Sequence, residues 1–140
     1  MSARRIALAC IVLSAKLAAA MSAAAHESHS PFENRSQTWQ LVELNGQPFV
    51  ARATLRFPEA GRIAGEAPCN RWFGEMRRPF PFFETGPLAA TRMACPELDR
   101  ESDFLNALAR MSLAEHESGR LTLHGAKGET MVFRPIQPDG

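Results

Sequence analysis

The sequence lacks a dominant charge: 16 basic and 15 acidic residues leave a formal net charge of +1. Nucleic-acid binders carry a strong basic excess, so that class is set aside and no nucleic-acid partner is expected. Lysine is almost missing, with only Lys16 and Lys127 among the bases; genome composition explains this more simply than an arginine-specific function. There is no apolar run long enough to span a bilayer, which argues against a stable membrane anchor. No zinc-ligand spacing, phosphate-cradling glycine loop or serine nucleophile elbow occurs, so the common signatures of metal, nucleotide and hydrolase chemistry are missing. Cysteine is scarce, at three residues.

The first 25 residues read as a signal peptide. Arg4 and Arg5 form a positive start, Ile6 to Ala15 is apolar, and Ala23-Ala24-Ala25 meets the small-x-small cleavage rule. Lys16 interrupts the apolar region, which leaves either a short apolar core or a long segment before the cut. Cys10 lies inside the apolar stretch, and Ala7 stands where a lipidation motif would want leucine, so cleavage after Ala25 is favoured over lipid attachment. The expected location is the periplasm or the medium, with a tether through an uncleaved or lipidated N-terminus as the alternative. Loss of Arg4, Arg5 and Lys16 takes the basic count from 16 to 13 against 15 acids, a net charge of −2.

Residues 26–37 (HESHSPFENRSQ) are polar and aperiodic and read as a flexible leader. His26 and His29 could hold copper or zinc only weakly, since two imidazoles are not a closed ligand set. No cofactor is expected. Thr38 to Leu44 is the first strand, with Trp39 as a core anchor, and Asn45-Gly46 is a strong hairpin-turn signal. ATLRF at 53–57 and RIAGEA at 62–67 follow as strands, and Gly65 marks a bulge or a close backbone approach. Pro79 and Pro81 interrupt any strand in the stretch PFPFF.

Glu97 to Met111 is an amphipathic helix, with Phe104, Leu105, Leu108 and Met111 on one stripe. Pro96 suits its start, and Glu97, Asp99, Glu101 and Asp103 suit the positive end of its dipole. A short strand at 113–118 and a hairpin around Gly125 to Gly128 complete the chain. The inner face of that hairpin is Leu121, Leu123, Met131 and Phe133, and His124 points outward. Six or seven short strands and one helix predict a mainly β (α+β) fold, a small antiparallel barrel-like sheet with one α-helix packed against it.

Cys69 and Cys95 are the two cysteines left after export. In an oxidising compartment they most simply form a disulfide. A redox pair would more often show Cys-x-x-Cys spacing, which 25 intervening residues do not fit. A nucleophilic thiol supported by Asn70 is the third reading, and a disulfide would consume it.

The order of landmarks is more specific than any single one. Trp39-x-Leu41, Leu44-Asn45-Gly46, LRF at 55–57 and GRIAG at 61–65 lead to Cys69-Asn70-Arg71 and Gly74. Thr91-Arg92-Met93-Ala94-Cys95, an acidic helix and the closing LTL and MVF strands follow. From about Trp39 to Phe133 the series resembles the META domain family, the HslJ-like group of bacterial envelope proteins. The resemblance implies a barrel-like domain over 38–135, periplasmic or lipoprotein members linked to heat or antibiotic stress, and no firmly attached enzymatic activity. It carries over Cys69, Asn70, Gly74, Thr91, Met93 and Cys95 as motif residues without chemical roles. PFPFF departs from the pattern, where an ordinary strand is usual.

Two functional readings follow. The first is a non-enzymatic binding or envelope-protective module, whose partner would be an envelope protein or a small ligand. Phe80, Phe82 and Phe83 form its candidate interaction surface, unless those rings fill the core instead. The second is a small hydrolase with a site assembled from dispersed residues, which a pocket holding His116 or His124 with a carboxylate would favour.

Overall fold

A computed structural model of the protein describes residues 30–137. The targeting segment and the His26/His29 pair lie outside the described residues. Nine strands form one antiparallel sheet: β1 (Thr38–Leu44), β2 (Gln47–Pro48), β3 (Thr54–Arg56), β4 (Arg62–Glu66), β5 (Arg71–Glu75), β6 (Ala89–Ala90), β7 (Met111–Glu117), β8 (Arg120–Gly125) and β9 (Thr130–Pro135). Their order is β6-β5-β4-β3-β1-β9-β8-β7, with β2 hairpinned onto β1, and one α-helix, α1 (Leu98–Ala109), links β6 to β7. The count exceeds the expected six or seven partly because β2 and β6 are two-residue pairings with no periodicity to reveal them.

Local chemistry explains the tightest turns. Asn45 and Gly46 both adopt positive φ, at 49° and 78°, which matches the right-handed twist of the β1–β2 hairpin. Ser118 and Gly119 repeat the device between β7 and β8. The sheet curls around the side chains that alternate inward. Leu121, Leu123, Met131 and Phe133 are all fully buried, as their spacing predicts. Trp39 and Leu41 join them from β1, and Leu55, Ile63 and Trp72 from β3, β4 and β5. α1 lays Phe104, Ala107 and Leu108 against this core, and the Phe104 ring meets Trp72 edge-on at 5.8 Å. The helix is shorter than the stripe suggests: it ends at Ala109, Arg110 caps it, and Met111 is already in β7.

Gly65 marks a close approach. A Cβ there would lie 1.9 Å from the Thr54 carbonyl oxygen, which accepts the Trp72 indole N–H at 3.1 Å. Gly74 likewise leaves room for Leu88, whose Cδ2 would stand 2.6 Å from an added Cβ.

Two expectations are corrected. From Ser30 onward the leader is packed, not flexible. Pro31–Glu33 form a 3-10 turn whose Phe32 N–H is accepted by Ser30 Oγ at 3.3 Å. The Phe32 ring stacks on Phe57 at 4.6 Å, so one aromatic in a polar stretch anchors the segment. The second correction concerns PFPFF. Phe83 is fully buried, Phe80 is half-buried against the core, and only Phe82 is exposed, so the contiguous aromatic surface does not form. Successive residues of an extended segment face opposite sides, which sends Phe82 out and Phe83 in. This segment ties the tip of the loop after β5 to β7 at the far end of the sheet. Phe83 N–H donates to the Ser112 carbonyl at 2.9 Å, and Ala114 N–H donates to the Pro81 carbonyl at 2.7 Å. Pro81 has no N–H to give, but the tie needs only its carbonyl.

Candidate functional site

The motif residues meet in one place, where the loop after β4, the segment after β6 and the start of α1 converge. Cys69 and Cys95 are joined in a disulfide with their Cα atoms 5.7 Å apart. Beside it stands Asn70, buried, whose side chain makes four hydrogen bonds. Its Nδ2 donates to Glu101 Oε1 at 2.8 Å and to the Met93 carbonyl at 3.1 Å. Its Oδ1 accepts from Thr91 Oγ1 at 3.0 Å and from Met93 N–H at 2.6 Å. That fills the capacity of a primary amide.

Glu101 supplies the other half. It is 6% exposed, and its Oε2 accepts the backbone N–H groups of Cys69 and Asn70 at 2.8 and 2.9 Å. Three N–H donors therefore surround a carboxylate held in the first turns of α1, where the helix dipole also favours negative charge. A buried carboxylate is tolerable only when hydrogen-bonded in this way. Sequence reasoning assigned Glu101 to the helix dipole alone and missed its burial. The signal was present, since Glu101 lies three and seven residues before Phe104 and Leu108 and so shares their inward stripe.

The network continues to the surface. Thr91 Oγ1 accepts the Arg71 N–H at 3.1 Å, and Thr91 N–H donates to the Arg71 carbonyl at 3.0 Å. These bonds fix the backbone of Arg71 and Met93 at the rim of a groove of about 490 Å³, lined by Arg52, Pro68, Cys69, Arg71, Thr91 and Met93. Met93 is 65% exposed there, and Arg52 is paired with Glu66. Gly74 lies on β5 away from the network and serves packing. The disulfide leaves no thiol at either cysteine, so Asn70 has no nucleophile to assist.

The two described histidines lie elsewhere. His116 stands edge-on to the Trp39 ring at 5.4 Å. His124 Nε2 lies 3.1 Å from Glu115 Oε2 on the outer face of β7 and β8, with both side chains substantially exposed. Nearby Ser112 Oγ donates to the His124 backbone carbonyl at 3.1 Å and not to its imidazole. Neither histidine lines the groove. Among the described residues no group of three or more His, Cys, Asp or Glu side chains is placed to hold a metal ion. Among them, too, no helix is long and apolar enough to cross a membrane.

The comparisons agree with this picture. The META domain profile matches residues 32–138, and so includes the packed 3-10 turn. An NMR structure of a protein from Burkholderia xenovorans superimposes with a TM-score of 0.60 at 23% identity, covering 73% of this chain and 83% of its own. A second NMR structure gives a TM-score of 0.59 at 25% identity, covering 76% of this chain and 94% of its own. Among curated proteins none matches significantly.

Proposed function

The chain belongs to the META domain family, and from that premise we propose that it is an exported, non-enzymatic binding module that protects the cell envelope under stress. The observation that carries this reading is the groove beside the disulfide. The polar groups of the motif satisfy one another, and what they present outward is a fixed rim of Arg71 and Met93. An exposed methionine on a rigid rim suits contact with a partner or ligand, because its thioether adapts to irregular apolar surfaces. The signal-like N-terminus and the disulfide support export to an oxidising compartment.

A small hydrolase is the second reading, favoured by the His124–Glu115 pair. Complementation separates the two. In a deletion strain challenged with heat or antibiotic, Arg71→Ser combined with Met93→Ser should fail to restore growth while keeping the parental melting temperature. His124→Ala should restore it fully. The opposite pattern would establish the hydrolase reading and sink the binding module.

A further inference from the structure

A second cleft lies at the other end of the sheet, away from the motif residues. It forms where the packed 3-10 turn, the turn between β3 and β4, and the residues following β5 come together. Its volume is about 360 Å³, within the range of small-ligand sites. Its floor is apolar and largely aromatic, made by Phe32, Phe57, Met76 and Phe80. The rings are mutually packed, with Phe32 4.6 Å from Phe57 and 5.5 Å edge-on from Phe80, so the floor is preformed.

The rim is of one dominant sign. Arg35, Arg62, Arg77 and Arg78 face Glu33 and Glu59. Glu59 is engaged by Arg62 at 3.3 Å. Among the described residues no carboxylate lies within salt-bridge distance of Arg77 or Arg78. Both guanidinium groups are nonetheless placed: Arg77 packs against Gly86, and Arg78 lies 3.8 Å from the centre of the Phe82 ring. A local excess of arginine thus surrounds an aromatic floor in a chain whose overall charge is close to zero. Arginine presents a planar fork matched to carboxylate, sulfate and phosphate oxygens.

We propose that this cleft binds a small anionic amphiphile, with an oxyanion head held by Arg77 and Arg78 and an apolar body laid on Phe32, Phe57 and Phe80. A free inorganic anion would leave the aromatic floor uncovered, and a cation would meet the arginine rim. The Pro79–Phe83 stretch thereby has two tasks. Phe83 and the Pro81 carbonyl close the sheet, while Phe80 and the two preceding arginines build the ligand site.

Octanoate is a suitable probe, titrated below its aggregation threshold into the isotopically labelled protein while amide NMR shifts are followed. The amides of Gly61, Arg62, Arg77 and Arg78 should move together and saturate, with those of Asn70 and Met93 unmoved. Arg77→Gln combined with Arg78→Gln should weaken octanoate by roughly tenfold or more, as expected for lost charge-assisted hydrogen bonds. Both positions are exposed, and unchanged shifts at Asn70 and Trp72 would verify the fold. Phe80→Ala should also weaken octanoate, without changing the response to inorganic phosphate. Equal affinity for octylamine or 1-octanol would overturn the proposal, as would full retention of octanoate by the double variant. Inorganic phosphate binding as tightly as octanoate would reduce the cleft to an anion site and overturn the amphiphile. Binding to anionic lipid vesicles without binding of monomeric octanoate would make it a membrane-docking surface instead.

Discussion

Glu101 concentrates the energetics of the motif region in one side chain. Replacing it with leucine leaves the N–H groups of Cys69 and Asn70 and one Asn70 amide proton without an acceptor in a buried place. Removing the acceptor for a set of buried donors costs about 3–5 kcal/mol, and each kcal/mol lowers the melting temperature of a domain this size by roughly 4–8 °C. Glu101→Gln keeps the shape and one carbonyl acceptor, so it should lose less than Glu101→Leu in thermal denaturation. Equal losses would mean that the side chain acts by volume and not by its hydrogen bonds. Glu129 makes a second, pH-dependent case. The backbone N–H of Glu129 itself holds its carboxyl below the ordinary value of 4.5, and the Lys127 N–H and Arg110 add to this. A lowered carboxyl stabilises the fold above the unfolded value and loses that contribution as pH falls through the folded one. The stability difference between the parent and Glu129→Gln should therefore be constant near neutrality and shrink below about pH 4.5. A difference that persists in acid would contradict this origin.

Among the elements, the Pro/Phe segment matters most to the architecture, because it joins the two ends of a sheet whose strand order leaves β7 without a strand neighbour on one side. Phe83→Ser removes a fully buried ring and should cost about 3–5 kcal/mol. Phe82→Ser removes an exposed one and should cost less than about 1 kcal/mol. Chemical denaturation of the two variants tests the assignment. Similar losses would show that the tie depends on both faces of the segment. The 3-10 turn has a comparable role on a smaller scale, since Phe32 completes the aromatic cluster beneath the second cleft.

For the whole molecule, the disulfide is the largest single constraint. It joins residues 26 apart, and the chain-entropy estimate for such a loop is about 3.5 kcal/mol. Against a typical total of about 5–15 kcal/mol, the Cys69→Ala/Cys95→Ala double variant should stay folded at room temperature but melt well below the parent. Loss of all structure at 25 °C would mean that the disulfide also organises the Asn70 network. Export makes a prediction of its own: N-terminal sequencing of the envelope form should begin at His26. A lipid-modified residue or an intact Met1 would favour a tethered protein.

The sequence by itself determined what depends on neighbours a few residues away. The β1 strand and its Asn45-Gly46 turn, the inward set Leu121, Leu123, Met131 and Phe133, and α1 all follow from periods of two and 3.6 and from turn chemistry. The pairing of Cys69 with Cys95 followed from counting, since only two cysteines remain after the targeting segment. The order of motifs was enough to identify the family. Tertiary structure alone decided which groups separated by tens of residues would meet. Asn70 and Glu101 are 31 residues apart, and neither shows in its local pattern that it completes the other. The inward turn of Phe83, the docking of Phe32 in a stretch that reads as a solvated leader, and the gathering of arginines over an aromatic floor have the same origin. Each depends on how the curled sheet brings its distant edges and loops together, and burial is a property of that assembled surface, which no local periodicity encodes.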